Sequence, residues 1–145
     1  MNKDEHYILD LCDEILGKKS SRQHRFDFLL GDQNKKGTSI KLPVDGYFHE
    51  LKLVIEYRER QHTESVAFFD KLNKITVSGV HRGLQRKIYD ERRRTELPKN
   101  GLQLIEFSYL DFNHNKQKRI IRDINADLKT IRSKLSNFLD TKGLC

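Results

Sequence analysis

The chain has 145 residues, 36% hydrophobic and 34% charged, with 28 Lys and Arg against 21 Asp and Glu for a net charge of +7. That length fits one domain with a core that needs no disulfides, and the composition excludes a disordered chain. The apolar residues come in short runs, which excludes a membrane-spanning helix and leaves a polar globular protein.

Residues 4–16 read as a helix, with Ile8, Leu9, Cys12, Ile15 and Leu16 on one face and Gly17 as its stop. Arg25 to Leu30 reads as a strand with Phe26, Phe28 and Leu30 on one side, followed by a polar loop from Gly31 to Gly37. Ile40 to Phe48 and Lys52 to Arg58 are the next two strands, and a less regular segment runs from Glu59 to about Gly79. Arg82 to Leu97 is helical and ends at Pro98; Lys99-Asn100-Gly101 turns the chain into a fourth strand, Leu102 to Phe107. Lys116 to Leu139 reads as one long amphipathic helix, with Ile120, Ile121, Ile124, Leu128, Ile131, Leu135 and Leu139 at helical spacing. The order α-β-β-β-α-β-α predicts an α/β domain: a central mixed four-stranded sheet flanked by helices.

The N-terminus lacks the basic start and unbroken apolar run of a signal peptide, and the two cysteines, Cys12 and Cys145, make no framework. A reduced, cytoplasmic protein is expected. The charge is clustered: residues 1–16 carry −4, residues 82–100 carry +4 and residues 116–134 carry +5. Clustered positive charge suits a polyanion, because neutralised phosphates release counterions, although a solvated helix face has the same composition.

The informative stretch is the second and third strands. A hairpin turning at Glu50-Leu51 sets Phe48 opposite Leu53, Tyr47 opposite Val54, Gly46 opposite Ile55 and Asp45 opposite Glu56. Alternation gives Val44, Gly46, Phe48, Leu53, Ile55 and Tyr57 one face, and Pro43, Asp45, Tyr47, Val54, Glu56 and Arg58 the other. Two carboxylates that meet across strands repel, so the pair needs a proton, a cation or open water. A hard divalent cation such as Mg²⁺ suits two carboxylate oxygens. An exposed sheet face, with the acids paired to Arg58 and lysines, satisfies the same pattern.

Pro43-Val44-Asp45, Val54-Ile55-Glu56-Tyr57 and Gln61-His62 together resemble the PD-(D/E)XK nuclease superfamily. They are similar to a branch of small very-short-patch-repair and restriction endonucleases with an aspartate, a short spacer and an E-Y-x-G-x-Q-H run. Arg22-Gln23-His24-Arg25-Phe26-Asp27-Phe28 and Leu104-Ile105-Glu106 fit that pattern too, and the resemblance spans roughly residues 5–110. It implies a restriction-endonuclease-like fold, Mg²⁺ or Mn²⁺ held by Asp45 and Glu56, and hydrolysis of phosphodiester bonds in double-stranded DNA by water. Gln61 stands where this branch places an amide in lieu of the superfamily lysine. The chain departs from the pattern at Glu59, where the branch has glycine, and at Arg58, which follows Glu56 by two on the same face. The third polar role therefore lies between Arg58 and Gln61, and an arginine holds phosphate but stays charged and cannot act as a base. Superfamily members often bring one acid from the first helix to the metal; Glu14 is the candidate, and His62 is a second accessory residue. Arg86 and Arg93 share a helix face and are candidates for phosphate contacts. An RNA-directed or toxin nuclease, a homodimer, and a basic nucleic-acid-binding module without chemistry all stay compatible with this sequence.

Overall fold

The computed structural model describes residues 3–59 and 82–141, the side chain of Arg82 apart. Helix α1, Lys3–Leu16, buries Ile8, Leu9, Cys12 and Leu16 along one stripe. It stops at Gly17, whose φ of +64° is the left-handed cap that glycine takes without a Cβ penalty. Strand β1, Ser21–Leu30, begins four residues earlier than its hydrophobic pattern suggests. Ser21 and Arg22 are polar, but they pair with Tyr47 and Gly46 at the sheet edge. A register shift between Arg25 and Leu30 also turns Leu29 inward and leaves Leu30 40% exposed, where alternation placed Leu30 with Phe26 and Phe28.

Strand β2, Lys41–Phe48, and strand β3, Leu53–Arg58, form the expected hairpin with Phe48 opposite Leu53, Tyr47 opposite Val54 and Gly46 opposite Ile55. A single 3₁₀ turn, His49–Leu51, closes it, with Lys52 left-handed at φ 51°. Helix α2, Arg82–Lys99, carries Pro98 in its last turn, where a missing N–H disrupts little, and so runs two residues past Leu97. After Gly101 at φ +77°, strand β4, Gln103–Ser108, lies parallel to β3 with Glu106 beside Glu56. The sheet order is β1-β2-β3-β4, mixed, as the element order predicts.

The C-terminal helix is shorter than its apolar spacing suggests. Helix α3 is Ile124–Thr141, and the segment before it is a turn. Asn115 Oδ1 accepts from the N–H groups of Gln117 and Arg119, Lys118 is left-handed at φ 63°, and Ile120 bridges back to His114. These local bonds offer the backbone an alternative to the helix. Asp123 then caps α3, accepting from Ala126 N–H at 3.2 Å. The stripe splits accordingly. Ile131 and Leu135 are buried, but Ile121 and Ile124 are over half exposed.

Two cores result. On one face α1 and α3 pack on Phe48, Leu53, Ile55, Tyr57 and Phe107; on the other, Leu97 of α2 packs on Leu42, Val44, Tyr47 and Val54. Covering both faces makes β3 a fully interior strand, which is why Glu56 on it is only 1% exposed. Tyr7 donates a buried hydrogen bond to Asp127, and Ile120 N–H donates to Asp4 at 3.1 Å, so α1 is tied to the C-terminal segment. Phe138, 1% exposed, fills the α1–α3 core. Phe138→Ala is expected to lower the unfolding free energy by about 3–5 kcal/mol, the scale of a buried aromatic truncated to a cavity, read as the urea midpoint. No helix among the described residues is long and apolar enough to cross a membrane.

Candidate active site

The hairpin ladder opens where the two acids meet. Below Gly46 and Ile55 the next two backbone donors go to side chains. Asp45 N–H donates to Glu56 Oε2 at 3.0 Å, and Tyr57 N–H donates to Asp45 Oδ2 at 2.8 Å. Each carboxylate thus holds the opposite strand. The strand also changes face here. Val44 packs with Leu42, Tyr47 and Val54 under α2, whereas the position of a Cβ on Gly46 lies 2.7 Å from Leu9 of α1. Strict alternation puts Val44 and Gly46 on one face, so that part of the expected pattern is corrected. Asp45 takes up the switch, and Gly46 lets α1 approach closely enough to bring its first turn over the site.

That first turn supplies a third carboxylate. Glu5, 7% exposed, accepts from Gln23 Nε2 at 3.0 Å, and the same nitrogen lies 3.5 Å from Asp45 Oδ1. Burial, then the charge of Asp45 and a hydrogen bond with it, push the Glu5 carboxyl up to about 8. Glu56 is held well above the ordinary carboxylate range, first by burial and then by Asp45, while Arg58 and Arg93 pull it back. Glu14, the acid expected from this helix, is exposed on α1 and takes no part. The sequence carried a usable signal: Glu5 lies on the same stripe as Ile8, Leu9 and Cys12, and Glu14 does not.

On the α2 side, arginines surround Glu56. Arg58, whose side chain is 14% exposed, donates from Nε to Glu106 Oε2 at 2.7 Å and pairs with Asp90 at 2.9 Å. Arg93, 13% exposed, donates to Pro43 O at 3.1 Å and to Asp90 Oδ1 at 3.0 Å. Glu56 Oε1 stands 3.4 Å from Arg93 Nε and 3.7 Å from Arg58 Nη1, and accepts no hydrogen bond. Arg94 completes the group by donating to both Glu106 oxygens. Burial opposes ionisation of Glu106, but Arg94 and Arg58 outweigh it and hold its carboxyl down at about 2.

The sequence-predicted residues therefore divide. Asp45, Glu56, Arg58 and Arg93 come together. Arg93 does so as a buried partner of Asp90 and Glu56, not as an exposed clamp. Arg86 is exposed earlier on α2. Gln61 and His62 lie outside the described residues. Sequence reasoning missed Glu5 and Gln23 at the site.

The donor set fits a hard divalent cation. It is all oxygen and anionic, and it includes a buried Glu56 oxygen that accepts no hydrogen bond. Among the described residues no three ligand side chains already stand as a closed metal cage, since backbone N–H groups hold one oxygen each of Asp45 and Glu56. No protein-family model, curated protein or solved structure matches this chain.

Proposed function

We propose that this chain is a divalent-metal-dependent endonuclease that hydrolyses phosphodiester bonds in DNA. The observation that carries the reading is the meeting of Asp45 and Glu56 at the opened end of the hairpin, with Glu5 of α1 as a third acid. Three gathered carboxylates need positive charge, and the two arginines nearby face only Glu56. Asp45 and Glu56 would hold Mg²⁺ or Mn²⁺. A bound cation of this kind supplies Lewis acidity toward a phosphate oxygen and acidifies water. Arg58 stays charged and is committed to Glu106 and Asp90, so it steadies Glu56. This commitment supports leaving the water-orienting role with Gln61. Arg86, exposed on α2, is the proposed phosphate contact, within a chain whose net charge is +7.

One observation favours a second reading. Arg58 and Arg93 already offset part of the charge on Glu56, so the fold tolerates the acid without a cation. A basic nucleic-acid-binding module that has lost its chemistry would keep that arrangement. Supercoiled plasmid incubated with the purified chain decides between them. Nicking in Mg²⁺ or Mn²⁺ that stops on adding chelator is the expected result. Salt-sensitive binding without cutting in either metal would establish the second reading, and cutting of RNA alone would change the substrate class.

A further inference from the structure

Gln23 is the one described residue inside a strand with a positive φ, at 50°. A residue with a Cβ rarely adopts this left-handed conformation, and no turn requires it here. Arg22 pairs with Gly46 before it and His24 with Val44 after it, in unbroken register, which sets Gln23 across from Asp45. The unusual backbone therefore coincides with the point where β2 changes face.

Resting on the reading that Asp45 and Glu56 hold a divalent cation, we propose that Gln23 is a positioning residue of that site, its amide bridging Glu5 of α1 and Asp45 of β2. The geometry gives the amide this task. Nε2 donates to Glu5 Oε2 at 3.0 Å and stands 3.5 Å from Asp45 Oδ1. Without a donor between them, two acids on different elements repel and turn toward solvent. Gln23 is itself exposed, so burial does not explain its conformation. Local strain of this kind persists where the surroundings over-determine it, as at ligand clamps. An independent sign of a ligand is Glu56, 1% exposed, with an oxygen that accepts no hydrogen bond.

Glycine adopts a positive φ freely, so Gln23→Gly keeps the backbone and deletes the amide. Gln23→Asn tolerates the left-handed region and keeps an amide on a shorter arm. The test is Mn²⁺ binding by calorimetry for the full chain and both variants, with thermal unfolding in chelator as the control. Gln23→Gly should unfold at or above the wild-type temperature in chelator and bind Mn²⁺ roughly tenfold to a hundredfold more weakly, the usual scale for losing a residue that orients a metal ligand. Gln23→Asn should retain more affinity than Gln23→Gly. Wild-type affinity in Gln23→Gly would overturn the inference alone, as would equal losses in the two variants. Absence of Mn²⁺ binding by the wild-type chain would overturn the metal reading and this inference with it.

Discussion

Asp45→Asn and Glu56→Gln are each expected to reduce Mn²⁺-dependent plasmid cleavage by at least roughly a thousandfold, the scale of several kcal/mol of transition-state stabilisation. Both substitutions keep the size of the side chain and remove its charge. Both also keep an acceptor oxygen, so Tyr57 N–H and Asp45 N–H remain satisfied and the hairpin stays closed. Glu56 is interior, and replacing a buried ion by an amide relieves desolvation. Arg58 and Arg93 still have Asp90, and Arg58 still has Glu106. Loss of cutting with an unchanged circular-dichroism spectrum therefore reports on charge at the site. Initial nicking rates across a Mn²⁺ series give the measurement. Full activity in either variant would remove this carboxylate pair from the mechanism.

The pairing of Asp45 with Glu56 was legible because hairpin register follows from counting once the turn is placed at Glu50-Leu51, and sequence order brings β4 beside β3. Other features were not, for physical reasons. Val44 is apolar, and with both sheet faces covered an apolar residue is satisfied on either, so the face change at Asp45 left no mark in the pattern. The apolar spacing over 116–123 resembled a helix because it ignores Asn115, whose side chain takes two backbone N–H groups that a helix would need. The backbone conformation of Gln23 depends on a partner strand 22 residues away, and no local propensity encodes it. Glu5 was readable as an acid on an apolar stripe; choosing Glu14 over it gave more weight to proximity in sequence than to the direction of the helix face.

In chelator, the protein should be most stable near pH 5, and its unfolding temperature should fall as the pH rises toward 8.5. The Glu5 carboxyl sits at about 8 in the folded state against an ordinary 4.5. Between those values the folded chain holds a proton that the unfolded chain has released, so each step upward in pH favours unfolding. Glu56 is shifted in the same direction by burial and by Asp45, and adds to the decline. Glu106 works the other way. Its folded value near 2 lies below the ordinary one, so its contribution is present above about 4.5 and is lost as the pH falls toward 2. The maximum lies between the two windows. Mn²⁺ binds the ionised acids and not their protonated forms, so it should raise the unfolding temperature more at pH 8 than at pH 5 and flatten or reverse the slope. In a domain of this size each 1 kcal/mol moves the midpoint by roughly 2–4 °C, which thermal scans at 0.5-unit pH steps, about the resolution needed, would record with and without Mn²⁺. Glu5→Gln removes the larger resolved titration and should flatten the decline in chelator while leaving the acid limb set by Glu106 in place. A midpoint that climbs steadily from pH 5 to 8.5 in chelator would mean that Glu5 and Glu56 are ionised in the folded protein without a cation, and the arrangement of the three acids would then lose its claim on a metal.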